Sequence, residues 1–199
     1  PPTEVAKQRL VKEGYKEKIF VVGNTVLDNI ADITPSDNNT VIVTLHRREK
    51  HHEIDLWFKA INDLAKKNSH LNFILPMHPN PMVKKHEHLL TSVIVYPPMD
   101  HEEFINRLSR CKYIITDSGG IQEEAAFLRK PCIVCRDFTE RGEGLGTFSI
   151  LCKKIEDLEK SWNWAVTADL SKGDCPYGDG KASSYIADIY TKTNQYLTE

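Results

Sequence analysis

The sequence predicts an α/β fold in which a parallel sheet is covered by helices on both faces. Two observations lead there. Short β-branched runs alternate with longer amphipathic stretches. Polar and glycine-rich residues concentrate in the segments that follow those runs, where ligands of parallel sheets bind.

In chain order, Ile19–Val22 and Val41–Leu45 read as strands. The spacing of Ile54, Trp57, Phe58, Ile61 and Leu64 predicts a helix over 53–67 with one buried face. Asn72–Leu75 is a strand, Pro81–Leu90 a short helix, and Val93–Tyr96 a strand stopped by two prolines. Asp100, with Glu103 three residues on, caps a helix to about Cys111. Tyr113–Thr116 is a strand, Ile121–Arg129 a helix and Cys132–Val134 a strand. Further helices are expected over Ile155–Val166 and Ser183–Leu197.

The 199 residues suffice for one sizeable domain, expected over 1–199. A net charge of −2 argues against nucleic acid as the main partner, since phosphate-backbone binding needs a basic face. No run is long and apolar enough to span a membrane, and the first residues lack the apolar core of a secretory signal. Five cysteines without a small-scaffold spacing fit reduced thiols and a cytoplasmic location. Cys132 and Cys135 lie three apart in a strand, on opposite faces, so they are read as core residues; no metal site and no cofactor are expected.

The chemistry concentrates in four segments. In Asp117-Ser-Gly-Gly-Ile-Gln-Glu-Glu-Ala125 a strand ends in a glycine turn and a helix begins at once. Glycines let a ligand approach the backbone, and the free amides, the Ser118 hydroxyl and the helix dipole make an anion site, although Ser-Gly-Gly also serves as a plain tight turn. Glu124, one turn on, suits ribose hydroxyls better than phosphate. Arg136 and Arg141 can clamp diphosphate oxygens through planar forks, or sit in a solvated charged loop. His46 in Thr44-Leu-His-Arg-Arg-Glu49 can donate a proton or stand near a leaving phosphate, with Arg47 beside it. His78 follows another strand, in a turn fixed by prolines. Glu124 apart, these groups all favour an anion.

Gly23-Asn-Thr-Val-Leu-Asp28, Thr44–Glu49, His78-Pro-Asn-Pro81, Asp117–Ala125, Lys130-Pro131, Arg136–Arg141 and Pro176-Tyr-Gly-Asp-Gly-Lys181 together resemble, in order, the motifs of the non-hydrolysing UDP-N-acetylglucosamine 2-epimerases. The resemblance covers about residues 7 to 197. It implies a Rossmann-like domain, one half of a GT-B-type two-domain fold, that binds UDP or a UDP-N-acetylhexosamine. The reaction it implies is loss of UDP to 2-acetamidoglucal and re-addition with C2 inverted, which interconverts UDP-GlcNAc and UDP-ManNAc for polysaccharide biosynthesis. By the same carry-over Met99 and Phe104 hold the uracil, Ser118, Gly119 and Gly120 the diphosphate, and Glu124 the ribose. Arg141 holds phosphate with Arg47 and His78 nearby, and His46 assists the departure and return of UDP. The carboxylates that move the C2 proton belong to the family's N-terminal domain, which is expected to be missing here, so the chain alone is expected to bind UDP with little turnover. The implied partners are that domain and, in the full enzyme, a second copy. An epimerase for another UDP-2-acetamido sugar and a non-catalytic UDP-sugar module stay open. Arg129-Lys130-Pro131 stands where the family carries Gly-Lys-Pro, a change expected to stay at the surface. Lys50-His51-His52 stands where it carries Asn-x-Gly, so no regulatory nucleotide site is assigned.

Overall fold

Six parallel strands, β1 (Thr40–Thr44), β2 (Asn72–Pro76), β3 (Ile94–Tyr96), β4 (Tyr113–Thr116), β5 (Cys132–Val134) and β6 (Ser149–Leu151), form one sheet in the order β3-β2-β1-β4-β5-β6. The computed structural model describes residues 1–195, and Leu197 of the expected last helix lies outside them. Its α-helices are α1 (Glu4–Lys12), α2 (Ile54–Lys67), α3 (Pro81–Lys84), α4 (His101–Arg110), α5 (Gly119–Phe127), α6 (Leu158–Thr167) and α7 (Ala182–Gln195). The chain divides into two units: residues 34–173, which contain the sheet, and residues 1–33 with the segment from Asp174 onward.

Strand alternation sorts the larger unit into two layers. Val41, Val43, Phe73, Leu75, Ile115 and Ile133 join a core with Ile54, Trp57, Phe58 and Ile61 of α2 and with Leu158 and Trp162 of α6. Burying each large side chain of this kind stabilises the fold by about 1.5–3 kcal/mol. On the other side α4 packs on β1, and α5 on β4 and β5. Cys135 belongs to the first core and Cys132 does not, as strand alternation requires of residues three apart. The strands read as continuous apolar runs because both faces are covered. The α4 cap forms as its spacing predicts: Asp100 Oδ1 accepts from the Glu103 amide at 2.8 Å.

Several expectations are corrected. Ile19–Val22 is not a strand; it finds no ladder partner among the described residues, and Phe20 and Val21 remain exposed. The helix expected from Ile121 begins at Gly119, so both glycines lie inside its first turn. Pro81–Leu90 is split into α3 and a 3₁₀ turn at Glu87–Leu89. Ile155–Asp157 is a 3₁₀ turn that leads into α6. Strand β6 has no signature in the sequence: three residues with one β-branched side chain give no alternation to read.

Arg129 is exposed as expected, but its backbone lies in the left-handed region, with φ 54. The Arg129 amide donates to Ala126 O and the Lys130 amide to Ala125 O, closing a Schellman turn at the end of α5. That geometry favours glycine over a residue with a Cβ. Arg129 compensates by donating to Leu170 O at 2.5 Å and to Gly173 O at 3.2 Å. The next residue, Lys130, is buried and donates to Ser36 O and Asp37 Oδ1, so this corner is held by side chains.

In the smaller unit the two glycine-bearing motifs meet. Gly178 has φ 127, and a Cβ there would stand 2.9 Å from Gly23 Cα, inside van der Waals contact. The Asn24 amide donates to Tyr177 O at 2.8 Å. Asp28 accepts from the Ala182 and Ser183 amides and so caps α7, and the Ser183 bonds hold its carboxyl below the usual range.

Candidate functional site

Strands β1 and β4 are neighbours although β2 and β3 lie between them in the sequence, so the sheet's topological switch falls between their carboxyl ends. Asp117, directly after β4, donates its amide to Thr44 O at 3.1 Å, while the Thr44 and Thr116 hydroxyls bond at 2.6 Å beneath it. The Asp117 side chain is 0% exposed. Its Oδ2 accepts from the amides of both His46 and Arg47 at 2.7 Å, and this fixes the loop after β1 against the end of β4. Its Oδ1 lies 3.4 Å from His46 Nδ1, within ion-pair range, yet no hydrogen bond of good geometry reaches it from the described residues.

Above this carboxylate the His46 and His78 rings are stacked, with centroids 5.0 Å apart and planes 5° apart. His78 comes from the loop after β2, and its Nδ1 accepts from the Asn80 amide at 3.1 Å. Burial and the neighbouring His46 push His78 below the usual imidazole value; Asp117 pulls the other way and His51 adds to the lowering. His51 Nε2 meets the His46 carbonyl at 2.9 Å. The Arg47 side chain, half-buried beside them, makes no ion pair among the described residues.

Ser118 is the N-cap of α5, but its side chain makes no capping bond, so the first helical turn keeps its amides available. Gly119 lies in close approach to the ion pair: a Cβ there would stand 3.2 Å from Arg141 Cζ and from Glu140 Oε1, so those side chains would have to give by a few tenths of an ångström. Gly120 faces open space. Glu124 is 6% exposed, and burial pushes its carboxyl up, with His101 lowering it and Glu123 raising it.

The two arginines are not open forks. Arg136 is 3% exposed and donates to Glu49 and to Glu140 Oε2. Arg141 donates to Glu123 at 2.8 Å and meets Glu140 Oε1. Glu140 therefore bridges both guanidinium groups beside the start of α5. Gln122 completes the frame, donating to Ser118 O at 3.0 Å and accepting from the Thr139 hydroxyl at 2.8 Å. Thr139 in turn accepts from the Arg141 amide. Buried Lys50 reaches Asp137, Glu53 and the Lys153 carbonyl, and so ties the loop after β1 to the loop after β5.

The expected residues thus meet in two pairs, His46 with His78 by ring contact and Gly119 with Arg141 by close approach, connected through Asp117, which holds the His46 amide and directly precedes Ser118. Ser118 and Gly120 adjoin them in sequence, Arg136 connects through Glu140, and Arg47 through Asp117. Met99 and Phe104 are half-buried around the start of α4. Asp117, Gln122, Glu123 and Glu140 received no role from the sequence, although all sit inside motifs it displays. The signal was a carboxylate or amide directly after a strand, early in a helix, or next to an arginine in a loop that follows a strand. A separate groove of about 500 Å³, lined by Thr40, Asn72, Ile94 and Arg107, lies at the amino ends of the strands and holds none of these residues.

The sequence profile of a family described as UDP-N-acetylglucosamine 2-epimerase matches residues 1–191. The chain belongs to that family. A UDP-N-acetylglucosamine 2-epimerase from Campylobacter jejuni is 34% identical over 227 residues, an overlap of 96% of this chain and 59% of that protein. The S. aureus MnaA–UDP structure superposes with a TM-score of 0.87 at 31% identity, covering all of this chain and 61% of its own. A UDP-GlcNAc 2-epimerase from Neisseria meningitidis, bound to UDP-GlcNAc, superposes with a TM-score of 0.83 at 31% identity, covering 96% of this chain and 60% of its own. The chain thus spans about three-fifths of the epimerase relatives it matches, and its fold class is the Rossmann-like half of a GT-B type. Among the described residues no helix is long and apolar enough to cross a membrane.

Proposed function

We propose that this chain is the UDP-binding half of an epimerase that interconverts UDP-GlcNAc and UDP-ManNAc by elimination and re-addition of UDP. The observation that carries this reading is the convergence of the stacked His46–His78 pair with the uncapped amides of α5 at the switch point. Elimination needs the developing diphosphate charge stabilised and its oxygen protonated. The amides of Gly119 and Gly120, the Ser118 hydroxyl and Arg47 supply the first, and His46 the second. Arg141 lies close enough to Gly119 to turn from Glu140 to a phosphate, while Arg136 contributes its charge through Glu140. Met99 and Phe104 would take the uracil and Glu124 the ribose. The base for the C2 proton is assigned to the N-terminal half of the full enzyme, and this chain alone then binds UDP without turnover. The UDP complex of the S. aureus relative and the UDP-GlcNAc complex of the Neisseria relative support this choice of ligand.

Calorimetric titration tests it. UDP should bind to the 199-residue chain, and Arg47→Ala should weaken binding roughly tenfold or more, the worth of a charge-assisted contact. No heat and no chemical-shift change at millimolar UDP would overturn the reading.

A further inference from the structure

We propose that Asp117 is a positioning residue for His46: its carboxylate keeps the proton on Nδ1 and so aims Nε2 at the departing diphosphate oxygen. The proposal rests on the reading of this surface as a diphosphate site. Its ground is geometric. A fully buried carboxylate is costly unless each oxygen is satisfied, and only Oδ2 is, by the amides of His46 and Arg47. Oδ1 is left without a hydrogen bond among the described residues, and the ring nitrogen facing it at 3.4 Å is His46 Nδ1. Bracing the loop would require only one acceptor oxygen. The second carboxylate oxygen has a use only if His46 presents a proton to it.

The rest of the shell holds the ring in that pose. His78 covers one face of the imidazole, and the His51 ring nitrogen holds the His46 carbonyl, which leaves the ring with few other orientations. The His46 side chain is 36% exposed, so an edge of the ring remains accessible to a ligand. With Nδ1 toward Asp117, that edge is Nε2. In the forward step the C1–O bond breaks and its electron pair stays on the diphosphate oxygen. The proton on Nε2 moves to that oxygen, and the C2 proton leaves to a base outside this chain. The neutral ring that remains keeps its Nδ1 proton, because a carboxylate faces that nitrogen. In the return step the Nε2 lone pair takes the proton back. A ring in the other tautomer would have no lone pair at Nε2 and could not complete the cycle.

Asp117→Asn is a near-isosteric probe. The amide oxygen can still accept from the His46 and Arg47 amides, while the NH₂ now points a donor at Nδ1 and should force the opposite tautomer. The experiment is ¹⁵N–¹H correlation of the histidine rings in the full chain, at a pH where they are neutral, with His46→Gln used to assign the signals. Expected is Nδ1–H in the unaltered chain and Nε2–H in Asp117→Asn. An Nε2–H tautomer in the unaltered chain, or the same tautomer in both, would overturn the proposal. Should the variant fail to fold, the tautomer of the unaltered chain still decides for or against it. Tautomer inversion without UDP binding would uphold the positioning role and sink the diphosphate reading, so the two failures are distinguishable.

Discussion

Glu124, proposed to hold the ribose, shows how such a role draws on fold stability. Its carboxyl is raised by burial first, with His101 opposing and Glu123 adding to the rise. A carboxyl raised on folding makes the folded chain the tighter proton binder between its ordinary value of 4.5 and its folded value. Stability from this group is therefore full at acid pH and is lost as pH rises through that window. Glu124→Gln removes the loss, so the variant should melt higher than the unaltered chain near neutrality and equally at the acid end. The same change should weaken UDP roughly tenfold, by removing a charged acceptor for ribose hydroxyls, and leave pyrophosphate binding unchanged. Equal weakening of both ligands would remove Glu124 from the ribose. Residues whose chemistry is local were legible without a structure: His46 after a strand and the glycines opening a helix. Asp117 was not, because its meaning depends on amides 70 and 71 positions away in the chain.

At the scale of elements, the corner after α5 gives a sharper test than any core position. Arg129 bears left-handed strain of about 1 kcal/mol, which glycine would relieve, but its guanidinium holds the carbonyls of Leu170 and Gly173. Arg129→Ala keeps the strain and loses the bonds. Arg129→Gly loses the bonds and relieves the strain. Urea denaturation should rank the chains unaltered, then Gly, then Ala, with Gly and Ala separated by about 1 kcal/mol. If alanine proves equal to glycine, the left-handed turn is not what that corner demands. The strongly periodic elements, α2 above all, and the buried parallel strands could be read from spacing alone. Short elements could not: β6 exists because β5 offers a ladder edge, and Ile19–Val22 has no such neighbour among the described residues. Pattern reports burial; pairing is a property of the assembled sheet.

For the molecule as a whole, the smaller unit carries an apolar surface. Tyr185, Ile186 and Tyr190 of α7 are 41%, 46% and 69% exposed. A groove of about 580 Å³ there is lined by Tyr15, Ile19, Phe20, Ile186, Ile189 and Tyr190. Such a patch favours association, at about 25 cal/mol for each Å² covered. Sedimentation velocity should therefore show concentration-dependent self-association, which Ile186→Glu with Tyr190→Lys abolishes. A single monomer boundary at all concentrations would show the patch to be too small to act.

On the proposed reading of this surface, the carboxylate shared by Arg136 and Arg141 governs how an incoming nucleotide would be received. Those cations are not vacant receptors surrounded by loosely held salt, since Glu140, together with Glu49 and Glu123, already pairs them from within the fold. Arrival of a phosphate would then be a trade of one anion for another, with Glu140 turned out as the newcomer settled. A reception of that kind would discriminate by shape and by the number of oxygens presented, and would keep small inorganic anions from lodging there in the meantime.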